Sequence, residues 1–155
     1  MWASVRARVS LNFPVMPTPT HCTPGSEAIA ALLRTNSCPS LEALDLSWNL
    51  LRDAGLARVL DGVAANEHLQ SLDLSWNAFG VESLAAVAQA VSSNATLKTL
   101  VLDHTNMGGD GALILETALR NNTCLSRLSL RGCPLGATGG RAIIRAMAVV
   151  RTRSL

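Results

Sequence analysis

Thiols, imidazoles and indoles are the side chains of this 155-residue chain best suited to chemistry or tight recognition. The thiols are Cys22, Cys38, Cys124 and Cys133, and the imidazoles are His21, His68 and His104. A zinc centre needs four ligands, with paired Cys or His at short fixed spacings. No Cys-x-x-Cys pair occurs and the histidines complete no such set, so no metal and no cofactor are expected. Nucleophilic catalysis needs a Ser or Cys beside a base and an orienting acid. Ser, His and Asp recur here at repeat-equivalent positions, which a scaffold produces without catalysis, and there is no phosphate loop; no catalytic residue is assigned. Recognition is the better reading. Trp48 and Trp76 both stand in the phrase Leu-Ser-Trp-Asn, in a chain with three Trp, two Phe and no Tyr. Exposed indoles anchor interfaces.

The elements that must position these residues repeat. Leu41, Leu69, Leu97 and Leu125 follow one another at intervals of 28, and each opens Leu-x-x-Leu-x-Leu: Leu41-Leu44-Leu46, Leu69-Leu72-Leu74, Leu97-Leu100-Leu102 and Leu125-Leu128-Leu130. Eight residues after each opening Leu stands Asn49, Asn77, Thr105 or Cys133. A small residue follows (Gly55, Ser83, Gly111, Gly139), with apolar residues four and eight further on: Val59 and Val63, Val87 and Val91, Leu115 and Leu119, Ile143 and Met147. The Leu-x-Leu alternation predicts a short strand with one buried face, and the four-residue spacing predicts a helix with one buried face. Parallel strands need a crossover, which each helix supplies. Helices are about 10 Å wide and strands about 4.8 Å, so the stack curves with its sheet inside. The predicted fold class is α/β: a solenoid horseshoe with a concave parallel sheet and outer helices.

The phrases LEALDLSWNLLRDAG and LQSLDLSWNAFGVES, with the recurring Asn66-x-x-Leu69, Asn94-x-x-Leu97 and Asn122-x-x-Leu125, resemble the leucine-rich repeat family in its ribonuclease-inhibitor-type subclass. The wording is similar to intracellular leucine-rich repeat proteins and to the repeat domains of NOD-like receptors. The resemblance covers residues 25 to 155: a half-unit at 25–40 and repeats at 41–68, 69–96, 97–124 and 125–152. Residues 1–24 are expected to be a disordered, non-repeat leader; Pro14, Pro17 and Pro19 disfavour an amphipathic presequence. The half-unit has helical spacing at Ile29 and Leu33 but no expected strand. Leu155 falls where a further repeat would open, and the expectation is a piece or isoform of a longer array.

Within each strand the residues flanking the core leucines face the concave side. These are Ala43, Asp45 and Ser47; Ser71, Asp73 and Ser75; Thr99, Val101 and Asp103; Arg127, Ser129 and Arg131. Trp48, Trp76, His104 and Gly132 come next, at the strand exits. The predicted contact surface therefore comprises Trp48, Trp76 and His104, an acidic band of Asp45, Asp73 and Asp103, and a basic end at Arg127 and Arg131. Asn49 and Asn77 are expected to satisfy backbone groups where strand passes into loop, with Thr105 and Cys133 as structural substitutes.

Charge is graded along the stack. Residues 41–68, 69–96 and 97–124 carry −3, −2 and −1, whereas 125–155 hold six Arg and no acid. The overall +2 gives no case for nucleic acid, and no apolar run reaches the roughly 18 residues that would span a membrane. Arg6 and Arg8 interrupt any secretory h-region, so free thiols, silent sequons at Asn94 and Asn121, and a cytoplasmic location are expected. The expected function is a non-enzymatic scaffold, a monomer or part of a larger complex, binding a protein partner through strands and strand-exit loops. The alternative is regulation of an enzyme, as the resemblance to a ribonuclease inhibitor and to GTPase-activating repeat domains implies. Four short strands span only about 15–20 Å by 10 Å. A standard interface takes about 800 Å² per partner, so loops or the Trp rim must join in.

Overall fold

The computed structural model describes residues 7–11, 24–49, 51 and 53–153. Ten elements alternate along it: β1 (Ala7–Ser10), α1 (Pro24–Arg34), β2 (Leu41–Asp45), α2 (Asp53–Ala65), β3 (Ser71–Asp73), α3 (Val81–Ser93), β4 (Thr99–Val101), α4 (Gly109–Asn121), β5 (Arg127–Ser129) and α5 (Gly136–Arg153). The strands form one sheet in the order β1-β2-β3-β4-β5, every neighbouring pair parallel. The register aligns Ala43, Ser71, Thr99 and Arg127 in one column, Leu44, Leu72, Leu100 and Leu128 in the next, and Asp45, Asp73, Val101 and Ser129 in a third. The fold is the predicted α/β repeat solenoid.

The core is the repeated leucine layer. Leu46, Leu74 and Leu102 are wholly buried, as are Val59, Val63 and Leu119 from the helices facing them. Helices pack in sequence order, each against the next. Gly62 permits a close approach of α1 and α2: a Cβ there would lie 2.8 Å from the carbonyl oxygen of Ala30. Two acids, the exposed Glu27 and the partly buried Glu116, tie neighbouring helices together. Glu27 pairs with Arg34 at 3.0 Å and with Arg58 of α2 at 2.8 Å. Glu116 pairs with Arg120 at 2.6 Å and with Arg145 of α5 at 3.8 Å.

The leader requires a correction. Residues 7–11 are not disordered, and the first unit does have a strand. Val9 pairs with Leu44 and Ser10 with Asp45, and the Leu11 amide donates to the Asp45 carbonyl at 3.0 Å. Val9 and Leu11 alternate onto the same apolar face as Ile29, Leu33, Leu41 and Leu44. A two-residue alternation suffices because β2 offers a ready hydrogen-bonding edge and α1 covers the inner face. The remaining residues of the expected leader, 1–6 and 12–23, lie outside the described residues, as do Cys22 and His21.

Two polar ladders close the turns. At the helix-to-strand turns Asn66, Asn94 and Asn122 are buried. The Asn94 Nδ2 donates to the carbonyls of Val63 and Asn66, and its Oδ1 accepts from the amides of Thr96 and Leu97. Asn122 repeats the pattern one unit on, with Val91, Asn94, Cys124 and Leu125. Each of these amides thus ties its own turn to the previous one, satisfying groups that burial would otherwise leave orphaned. Asn94 is only 4% exposed, so its sequon is closed to modification in the folded chain.

Candidate functional site

The second ladder lies at the strand exits and sets up the site. The Asn77 Nδ2 donates to the carbonyls of Leu46 and Leu74, both at 2.9 Å, and its Oδ1 accepts from the Leu51 amide at 2.8 Å. Asn49 reaches back in the same way to the Leu11 carbonyl at 2.7 Å. In the later units the ladder thins. The Thr105 hydroxyl donates to Leu102, the Cys133 thiol donates to the same carbonyl at 3.2 Å, and the two side chains touch at 3.6 Å.

One residue before each ladder position the backbone turns left-handed. Trp48, Trp76, His104 and Gly132 have φ of 61°, 59°, 56° and 67°. An L-residue there costs roughly 1–2 kcal/mol, which only Gly avoids. Three bulky side chains nevertheless occupy the column, and they stack. The Trp48 and Trp76 ring centroids are 4.2 Å apart at 13°, and those of Trp76 and His104 are 3.9 Å apart at 15°. The His104 ring lies over Gly132, where a Cβ would collide with it. The row is open to solvent: Trp48 is 63% exposed and Trp76 41%.

The preceding residue is pinned by a carboxylate. Asp45 Oδ1 accepts from both the amide and the hydroxyl of Ser47, at 3.0 and 2.7 Å. Asp73 does the same for Ser75. In the last two units acid and hydroxyl exchange columns. Asp103 stands in the Ser column and Ser129 in the Asp column, and Asp103 Oδ1 accepts from the Ser129 hydroxyl and the Arg131 amide of the next strand. The amide of this column is held by a carboxylate in the first, second and fourth units, first from within the unit and then from its neighbour.

Row and strand floor border an open groove of about 350 Å³, lined by Ser47, Trp48, Asp73, Ser75, Trp76, Val101, Asp103, His104 and Arg131. Six of the eight residues expected at the contact surface therefore meet there: Trp48, Trp76, His104, Asp73, Asp103 and Arg131. Asp45 and Arg127 lie on the same sheet face outside the lining, in the columns of Asp73 and Thr99. Sequence reasoning placed the row but missed its left-handed backbone and the pinning of Ser47 and Ser75. Gly132, sharing the column, was the available sign of a positive φ. Among the described residues no three His, Cys, Asp or Glu come together as a metal site, and Cys38, Cys124 and Cys133 are free thiols. The groove's chemistry is stacking, charge and hydrogen bonding.

A family model described as Leucine Rich repeat matches residues 37–59, 65–88, 93–113 and 121–143, more than half of the chain. The chain belongs to the leucine-rich repeat family. The matched segments follow the same period as the strands of this repeat protein. Among solved structures it is similar to Leiomodin-1 Actin-Binding Site 2 (ABS2), with a TM-score of 0.71 and 17% identity over 93% of this chain and 81% of that one. A tropomodulin C-terminal domain from Caenorhabditis elegans gives a TM-score of 0.46 and 11% identity, over 83% of this chain and 94% of that one. The first likeness shows the fold. No curated protein matches. Among the described residues no helix is long and apolar enough to cross a membrane.

Proposed function

We propose that this repeat protein is a non-enzymatic interaction module whose protein partner docks on the strand-exit row and the groove beside it. The observation that carries the reading is the stacked, solvent-open row Trp48–Trp76–His104, kept in a backbone conformation that folding alone disfavours. Strain held at a surface position by surrounding hydrogen bonds is a mark of a working site. Indoles already stacked and locked lose little entropy on contact, so they anchor a partner efficiently. The acidic columns and the two arginines complete the surface. The 28-residue unit with one helix per turn supports the ribonuclease-inhibitor-type subclass, and the free thiols fit a reducing, cytoplasmic setting. The solved structure of shared fold bears the name of an actin-binding site, which fits an interaction role and leaves the partner open.

The test is selection of binders from a displayed library against the purified chain, followed by measurement of each against the paired Trp48→Ala, Trp76→Ala variant. Binders are expected to lose at least ten-fold in affinity on that variant. They are expected to keep it on a Leu113→Ala, Ile114→Ala variant of the outer helix α4, whose two side chains are also exposed. Equal affinity for the paired-alanine variant and the native chain would refute the proposal.

A further inference from the structure

The groove has a direction as well as a shape. Along the stack from β2 to β5 the concave columns carry Asp45, then Asp73, then Asp103, then Arg127 and Arg131. Asp45 and Asp73 sit side by side in register, about 4.8 Å apart. Like charges placed directly opposite destabilise a sheet. Among the described residues no ion pair relieves them, and each of the three acids engages the protein through Oδ1 alone. Among the described residues Arg127 and Arg131, both exposed, also have no carboxylate partner. Between these poles lie the Trp76 and His104 rings and the Val101 side chain. The charges therefore form a graded field over three strand spacings, about 14 Å, with the two rings, Val101 and the Asp103 carboxylate between its ends.

We infer that the partner presents an extended peptide segment with a basic residue at one end, an apolar residue two positions on and an acidic residue four positions on. Resting on the docking proposal above, this adds the chemistry of the docked segment. An extended chain rises about 3.4 Å per residue and shows alternate side chains on one face. Residues i, i+2 and i+4 therefore face the groove at roughly 7 Å steps, matching the Asp45–Asp73 pair, the Trp76–Val101–His104 stretch and the Arg127–Arg131 pair in turn. Nucleic acid fits poorly, since its phosphates would meet three carboxylates before reaching the arginines.

Synthetic peptides test this directly. Three are titrated against the native chain at low ionic strength, with indole fluorescence as readout: Lys-Ser-Leu-Ser-Glu, Lys-Ser-Leu-Ser-Lys and Glu-Ser-Leu-Ser-Glu, each flanked by Gly-Ser. The dipolar peptide is expected to bind at least three-fold more tightly than either of the others, with affinity falling as salt rises. In an Arg127→Glu, Arg131→Glu variant the preference is expected to pass to the doubly basic peptide. In an Asp45→Asn, Asp73→Asn variant, which keeps the Ser47 and Ser75 hydrogen bonds, the advantage of the dipolar peptide over the doubly acidic one is expected to fall to less than half. Equal binding of all three peptides, unchanged preferences in both variants, or preference for a single-stranded oligonucleotide would overturn the inference. The two proposals fail separately. Library binders that need Trp48 and Trp76 but follow no charge order would leave the docking site standing and sink its dipolar partner. Charge-ordered peptides indifferent to the Trp pair would do the reverse.

Discussion

The left-handed strand exits make a prediction about backbone energy that can be isolated by a difference. Trp76→Ala and Trp76→Gly delete the same two ring contacts, with Trp48 and His104, worth about 1–3 kcal/mol together beyond the area they bury. What separates the two variants is the main chain at φ 59°. Alanine retains the left-handed cost of roughly 1–2 kcal/mol, whereas glycine is free of it. Glycine in turn loses about 0.5–1 kcal/mol more conformational entropy on folding. Trp76→Gly should therefore be more stable than Trp76→Ala by up to roughly 1.5 kcal/mol, with a mid-range value of about 0.75 kcal/mol. At ordinary strand positions the order is the opposite: Ala43→Gly on β2 should destabilise by about 0.5–1 kcal/mol. Urea unfolding followed by far-UV circular dichroism reads both, since indole fluorescence is altered by the substitutions themselves. With m of about 2 kcal/mol/M the midpoint of Trp76→Gly should lie about 0.4 M above that of Trp76→Ala. A Trp76→Gly protein less stable than Trp76→Ala would refute the strain argument, and with it the observation on which the proposed docking site rests.

Asn77→Ala leaves the Leu51 amide and the Leu46 and Leu74 carbonyls without their side-chain partner in a buried turn. At about 1 kcal/mol or more each, a loss of about 3 kcal/mol is expected in urea unfolding; Asn77→Thr, copying Thr105, should lose less because its hydroxyl still reaches Leu74. Gly62→Ala forces α2 away from the Ala30 carbonyl and should cost about 1–3 kcal/mol, read as a lowered urea midpoint and faster hydrogen exchange across α1. Glu27→Gln severs two ion pairs that are about half exposed and should change stability by less than about 1 kcal/mol in the same assay.

The repeat was legible because burial of a strand face demands Leu at alternate positions and a stack demands the same demand every 28 residues. Columns follow from that period alone, which is why Trp48 and Trp76 could be placed side by side from sequence and why the register bears this out. β1 escaped notice because Val9-x-Leu11 is too short a pattern to stand apart from chance; only the edge of β2 gives it meaning. The exchange of Asp and hydroxyl between Asp73–Ser75 and Asp103–Ser129 was invisible for another reason. It is a relation between neighbouring strands, and the sequence of one unit does not contain it.

Ladder and row change together along the stack, and this links architecture to site. Where the exit residue is an indole, the next residue is a buried Asn and the residue before it is pinned by its own unit's Asp. The strained Trp is thus clamped from both sides, as an unfavourable backbone must be if it is to persist. In the third unit the ladder residue is Thr105, with a single donated bond, and the exit residue shrinks to His104. In the fourth the ladder is Cys133, the exit is Gly132 and no strain remains to be clamped. A scaffold needing only to close its turns would place Gly at every exit, since Gly adopts this φ freely. The costly residues stand where the clamp is strongest, beside the acidic columns and facing solvent. That coincidence supports the proposed role of the aromatic row in docking, with the asparagine ladder holding it in place.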